Sequence, residues 1–253
     1  MNIRFFNDHL QLPFIGRSGI DRLKTKRVLV VGAGGLGCPV ISALASSGIG
    51  HIGIADGDRV ETTNLARQYL YTPDQVGEFK TTAALAYLQT RYLDTKFEAY
   101  PFFLGAKNID SLFASYDLVV DATDNFLSRS LIAQSCQRLG LPQVYGAIFR
   151  AEGQVTVFNC GEPQGALADL FAVDPSTIVS SACAESGTYI IGSTVIGLLM
   201  ANEVVKVLLG LPNLLAGKLL LFDVLTLQQR VIRFSKPLAD STLLNRLHER
   251  HNP

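Results

Sequence analysis

The sequence predicts an α/β chain: a mostly parallel sheet with helices on both faces, extended by a mixed or antiparallel C-terminal part. Three observations predict it. Strand-like and helix-like segments alternate from residue 27 to about 148, the order expected of βαβ units. The first strand runs into a glycine turn that opens a helix. Beyond Gly146 the texture changes to alternating, strand-like sequence around one long apolar helix.

The first strand is 28–31, β-branched for the most part and bounded by charge on one side and glycine on the other. Gly32, Gly34 and Gly37 fit G-x-G-x-x-G, with an extra glycine at Gly35. Such a turn brings backbone N–H groups up to a phosphate with no Cβ in the way, at the positive end of a helix dipole. This makes the parallel part Rossmann-like. A small-residue helix follows over 36–47, then a strand over 51–55 that ends at Asp56. Residues 74–91 read as a helix, with Thr72 or Asp74 as cap and Pro73 in the first turn. Further strands are expected at 96–100, 117–121 and 143–146, with a helix over 126–139.

In the second half, 153–159 alternates like a strand and 162–187 reads as a long loop rich in small residues. Residues 187–209 form a helix that is apolar on most faces, and 218–223 and 229–234 a hairpin-like return. The tail from 236 is more polar. No internal repeat or low-complexity linker divides the chain, so 1–253 is read as one domain. Its parts are an N-terminal arm (1–26), a nucleotide-binding half (27–148), a sheet-extending half (149–235) and the tail (236–253).

With 253 residues, 48% of them hydrophobic, the chain can bury a sizeable core. Lys+Arg and Asp+Glu both number 22, which argues against a nucleic-acid binder working through a basic face. The N-terminus lacks the apolar stretch of a signal peptide. The apolar run 189–200 is too short to span a bilayer and reads as a buried helix. Cys38, Cys136, Cys160 and Cys183 are scattered and form no C-x-x-C, which suits free thiols in a reducing cytoplasm.

The residues after the glycine turn narrow the ligand. Asp56, or Asp58 two residues on, lies about twenty residues past the glycines, where a carboxylate accepts hydrogen bonds from ribose hydroxyls. Asn64, Arg67 and Gln68 follow in a loop, and Lys80 lies in the next helix; Arg offers a planar fork for phosphate oxygens and Lys a point charge. Asp121, Asp124 and Asn125 sit at the carboxyl end of the fourth strand, where open α/β sheets place ligands. A carboxylate there suits Mg²⁺ beside a polyphosphate, or else a turn that bonds its own backbone. The glycine turn and Asp56 also fit an NAD-dependent oxidoreductase, which leaves Arg67, Lys80 and Asp124 without a task.

Taken together these strings resemble one family. GAGGLG, D-x-D-x-V-x-x-x-N-L-x-R-Q from Asp56 to Gln68, V-G-x-x-K ending at Lys80, D-x-T-D-N with Arg129, and R-x-E-G-Q-V-T-V-F from Arg150 to Phe158 occur in this order in the ThiF/MoeB/HesA superfamily. The resemblance runs over roughly residues 5–235. It implies ATP-dependent adenylation of the C-terminal glycine of a small β-grasp sulfur-carrier protein ending in Gly-Gly, in thiamine or molybdopterin biosynthesis. It assigns the ribose to Asp56, the phosphates to Asn64, Arg67 and Lys80, and Mg²⁺ to Asp124. It also implies a homodimer and a possible sulfurtransferase partner.

Two features depart from that family. An N-terminal Arg that reaches a partner subunit's nucleotide site is replaced by Asp8, with Arg4 nearby. The paired C-x-x-C motifs that bind structural zinc are missing near 163–167 and after Pro237, so structural zinc is not expected; His248 and His251 read as a solvated face. These departures leave a non-catalytic relative as an alternative. Cys183 lies in a segment resembling the family's crossover, where some relatives carry a cysteine that links covalently to the activated carrier; a small buried thiol is the plainer reading.

Overall fold

The computed structural model describes residues 6–161, 165–171 and 187–234. After α1 (Asn7–Leu10) and α2 (Gly16–Lys24), the chain enters β1 (Arg27–Val31), α3 (Gly37–Ser46) and β2 (His51–Ala55). Next come α4 (Lys80–Arg91), β3 (Lys96–Tyr100), α5 (Ile109–Phe113), β4 (Leu118–Asp121), α6 (Phe126–Leu139) and β5 (Gln143–Phe149). The remaining elements are β6 (Glu152–Phe158), α7 (Leu167–Leu170), α8 (Ile190–Leu209), β7 (Lys218–Asp223) and β8 (Gln228–Arg233).

These strands form one sheet in the order β3-β2-β1-β4-β5-β6-β7-β8. The pairings from β3 through β5 are parallel, and those joining β5, β6, β7 and β8 are antiparallel. The central strands are covered on both faces, which is why they read as unbroken apolar runs. Val28 and Val30 of β1 face a core shared with α3, α4 and α8. Leu29 and Val31 point the other way, into a core with α5 and α6.

α8 lies close against the sheet because glycines clear its path. A Cβ on Gly146 would overlap Met200, and one on Gly153 would overlap Ile196. At 20 residues α8 is long and apolar enough to cross a membrane by length and composition. Instead Gly192, Ile196, Met200, Ala201 and Val204 are buried in the protein. Its one buried acid, Glu203, pairs with Lys206 at 2.5 Å and accepts the Leu215 N–H at 2.9 Å.

Two expectations change. The helix read over 74–91 is split: Pro73–Gln75 is a single 3-10 turn, and α4 starts only at Lys80. Gly77, at φ 93°, breaks the helix there, and its N–H donates to the Val60 carbonyl at 2.9 Å instead. A short helix, α5, occupies the stretch between β3 and β4, where no element is expected from the sequence. The expected tail from 236 and most of the expected loop over 162–187 lie outside the described residues, and within the described part of that loop α7 forms a short helix.

Behind the sheet's amino ends, Glu98 gathers Lys96 at 2.7 Å and the Tyr100 hydroxyl at 2.7 Å. His51 Nε2 stands 3.3 Å from Glu98 without hydrogen-bond alignment. The bonds from Lys96 and Tyr100 hold the Glu98 carboxyl down to about 2, against an ordinary value of 4.5. Burial lowers the His51 imidazole below its ordinary 6.5, so it folds neutral. Both groups act in one direction. The His51 contribution is full above pH 6.5 and is lost as pH falls below it; the Glu98 contribution is full above 4.5 and is lost as pH falls through about 2. In a pH series of thermal midpoints, Glu98→Gln is expected to lower the midpoint at neutral pH and flatten the limb between pH 4.5 and 2. An acid limb identical to wild type would refute this account.

Candidate nucleotide site

The strand order turns around β1: β2 lies on one side of it and β4 on the other. Open α/β sheets bind ligands outside the carboxyl ends at such a switch point. Here the exits of β1 and β4 touch. Gly32 has φ 93°, and a Cβ on it would lie 2.7 Å from the Ala122 carbonyl oxygen. A Cβ on Gly37 would collide with the Gly32 carbonyl. The backbone itself therefore requires both glycines; Gly32 also lines the cavity, whereas Gly37 lies off its wall. Gly34 and Gly35 do face the cavity, whose volume is about 1400 Å³.

The glycine turn is held from two sides through Ala33. Its N–H donates to Asp56 Oδ2 at 2.7 Å, and its carbonyl accepts the Tyr71 hydroxyl at 2.6 Å. Asp56 Oδ1 takes the Asp58 N–H at 2.8 Å. Asp56 thus shapes the turn while still lining the cavity. Tyr71 is buried, and that burial pushes its hydroxyl far up, so it remains a donor. Sequence reasoning missed Tyr71; no pattern marks an aromatic this far from the glycines.

Asn64 closes a tight turn: its carbonyl accepts the N–H groups of Arg67 and Gln68, both at 3.0 Å. That turn lays Arg67 over the glycines, with its Cδ 3.6 Å from where a Gly35 Cβ would stand. One Arg67 nitrogen donates to the Thr63 carbonyl at 3.1 Å. Gln68 is only 3% exposed and its Oε1 has no hydrogen-bond partner, although it lies on the cavity wall. Lys80 opens α4, where the helix dipole disfavours a cation. Asp58 offsets this by pairing with its Nζ at 2.9 Å, and both side chains line the cavity.

The β4 exit separates two carboxylates. Asp121 is fully buried and accepts from the Thr123 N–H at 3.1 Å, the Thr123 hydroxyl at 2.7 Å and Gln143 at 3.4 Å. Burial pushes its carboxyl up. Asp121 does not line the cavity; it shapes the turn behind it. Asp124 is exposed on the wall with no partner among the described residues. Asn125 lines the cavity too, but its Oδ1 is committed to the Ser128 N–H at 2.9 Å as the cap of α6. Arg129 braces the turn through the Thr123 carbonyl at 2.7 Å, a task for which only the family motif offers a signal.

The cavity continues across the β5–β8 part of the same face. Ala147 and Phe149, Glu152 and Gln154, Leu221, and Arg230 line it in turn. Gln154 pairs with Leu221, and Leu221 with Arg230, so they form one cross-strand row.

The residues fit a nucleoside polyphosphate with Mg²⁺. Gly34 and Gly35 leave a cradle that a side chain would fill, Gln68 Oε1 lacks a partner, and Arg67 and Lys80 offer cationic donors. One free carboxylate, Asp124, is enough, because Mg²⁺ commonly binds through one or two carboxylates plus phosphate oxygens. Of the other candidates, Cys183, Arg4, His248 and His251 lie outside the described residues. Asp8 is exposed on α1, away from the cavity wall. Cys38 and Cys136 are buried free thiols, and burial pushes Cys38 up to about 12.

Comparisons with known proteins show the family and the fold. The model of the ThiF family matches residues 6–243. The sulfur carrier protein adenylyltransferase of Thermus thermophilus is 43% identical over 224 residues, covering 87% of this chain and 83% of that protein. The probable adenylyltransferase/sulfurtransferase MoeZ of Mycobacterium tuberculosis is 36% identical over 234 residues, 91% of this chain and 60% of MoeZ. The adenylyltransferase and sulfurtransferase MOCS3 of Anopheles gambiae is 42% identical over 219 residues, 86% of this chain and 49% of that protein. The chain therefore spans only about half to three fifths of the length of MOCS3 and MoeZ. The crystal structure of E. coli MccB with ATP shares the fold, at a TM-score of 0.77 and 20% identity over 94% of this chain and 79% of that one. The matched family model spans the glycine turn, the Asn64–Gln68 loop and the Asp124 turn together, and the chain belongs to the ThiF family.

Proposed function

We propose that this protein is an ATP-dependent adenylyltransferase that activates the C-terminal glycine of a small sulfur-carrier protein in thiamine or molybdopterin biosynthesis. The observation that carries the reading is the convergence of the Gly34–Gly35 cradle, Arg67, Lys80 and Asp124 on one cavity at the switch point. The similarity to a sulfur carrier protein adenylyltransferase over most of both chains supports it.

In this reading Asp56 and the glycine turn hold the ribose and phosphates of ATP, Asn64, Arg67 and Lys80 surround the phosphates, and Gln68 Oε1 accepts from a donor group of the nucleoside. Asp124 would hold Mg²⁺, which when bound neutralises phosphate charge. The carrier's terminal carboxylate attacks the α-phosphorus; a new P–O bond forms, the bond to the β-phosphate oxygen breaks, and pyrophosphate leaves. A carboxylate is already ionised at neutral pH, so no general base is needed. In keeping with this, no histidine among the described residues lines the cavity. The obstacle is bringing two anions together, and Arg67 and Lys80 lower it by stabilising charge at the α-phosphate.

The cavity has room for the carrier's tail. Small-ligand sites run to roughly 300–1,000 Å³, and the surplus here lies along the open β5–β8 face. Our reading has the carrier dock on that face with its Gly-Gly end directed toward Arg67. It further has the enzyme acting as a cytoplasmic homodimer, with exposed Ile191 and Leu198 of α8 covered by the second copy, and a sulfurtransferase as a separate partner.

Two measurements test this. Carrier-dependent ATP–pyrophosphate exchange is expected in wild type and is expected to fall about 10²–10³-fold in Arg67→Ala or Asp124→Ala, the range for losing one preorganised charge-stabilising donor. Unchanged exchange in both variants would overturn the assignment. Gly34→Ala separates folding from binding. Its added Cβ would meet only Gln68 Nε2, at an ordinary 3.7 Å. The thermal midpoint should therefore stay near wild type while stabilisation by Mg·ATP disappears. Stabilisation by NAD but not by Mg·ATP would point to dehydrogenase chemistry instead.

A further inference from the structure

Phe103 stands on the cavity wall without a role in the reading above. It follows β3 on the loop 101–104. Tyr100, the last residue of β3, uses its carbonyl twice: it accepts the Asp56 N–H at 3.2 Å and the Phe102 N–H at 2.9 Å. The segment bearing Phe103 is thereby tied to the same oxygen as Asp56, the residue that follows β2. The ring then lies against Gly57. A Cβ on that glycine would stand 2.7 Å from Cγ and Cδ2 and 2.8 Å from Cε2. Phe103 nevertheless remains 72% exposed. A lone exposed apolar side chain needs no explanation. A ring seated on the backbone of Gly57, on the wall of a ligand-sized cavity, does.

The position of Asp56 gives the ring its meaning. On one side Asp56 bonds Ala33 of the glycine turn, and on the other it precedes Gly57. A nucleotide with its phosphates on Gly34 and Gly35 and its ribose at Asp56 extends its base toward Gly57. We propose that Phe103 is the stacking surface for the nucleobase, a specificity-determining residue whose role rests on the nucleotide reading of this cavity. Every base has a π-face, so a phenylalanine supplies affinity for the base without reading its edge. The ring therefore favours nucleotides over bare polyphosphate and weights adenine and guanine alike.

Calorimetric titration of wild type, Phe103→Ala and Phe103→Tyr with Mg·ATP, Mg·GTP and Mg·tripolyphosphate tests this. In Phe103→Ala the Kd for Mg·ATP should rise about tenfold or more, the scale of losing one base–aromatic stack. Any Mg·GTP binding should weaken by the same factor, tripolyphosphate should be unaffected, and Phe103→Tyr should bind as wild type. Unchanged Mg·ATP binding in Phe103→Ala would overturn the proposal. So would an equal loss for tripolyphosphate, which would make the ring a prop for the loop. Failure of the wild type itself to bind Mg·ATP would overturn the underlying nucleotide reading, an outcome visible before any variant is compared.

Discussion

The site depends on how closely the exits of β1 and β4 approach one another. Gly32 meets the Ala122 carbonyl across a gap that a single methyl group would close. That contact brings the glycine turn and the Asp124 turn to the walls of one cavity, although they are far apart in sequence. Hydrogen bonds on both sides keep it in place: Gly32 donates to the Ala55 carbonyl at 2.8 Å, and Ala122 to the Val31 carbonyl at 2.9 Å. A side chain at Gly32 would wedge the strands apart and, with them, the two turns that wall the cavity.

Around this junction the protein holds groups in states that a stable fold would otherwise avoid. Lys80 faces the wrong end of a helix dipole and is nearly buried, relieved by its ion pair with Asp58. Gln68 keeps a buried carbonyl oxygen without a donor. An unpaired buried polar group costs about 1–3 kcal/mol, and a ligand that completes its hydrogen bond recovers that cost on binding. The two aspartates of the β4 exit show how burial alone divides labour. Asp121 is enclosed and bonded into the turn, whereas Asp124, three residues on, is left free at the surface of the cavity.

The change from parallel to antiparallel pairing at β5 has a further consequence. α8 takes one face of the extension, drawn in by Gly146 and Gly153. On the other face α5 and α6 pack on β1 and β4, and the cavity extends past them over β5 to β8. A nucleotide-sized cleft thereby becomes a long channel. Its far wall mixes apolar Leu221 and Ile232 with Glu152 and Arg230.

Much of this was legible in the chain itself. Period-2 and continuous apolar runs specify the strands, and the glycine spacing specifies the turn, because no other residue permits that approach of backbone to backbone. The motif strings from Asp56 to Asp124 carry the site because a polyphosphate demands cations and a metal-binding carboxylate in any order of folding. Local pattern misled where a distant partner competed: Gly77 is claimed by Val60, so the helix begins at Lys80 and not at Asp74. The sequence determined which elements form and which charges are available. Only the tertiary structure decided that Asp121 is walled off while Asp124 is free, that Tyr71 anchors the glycine turn, and that Phe103 lies against Gly57. Burial and hydrogen-bond partners across the sheet settle those outcomes, and neither is a property of neighbouring residues along the chain.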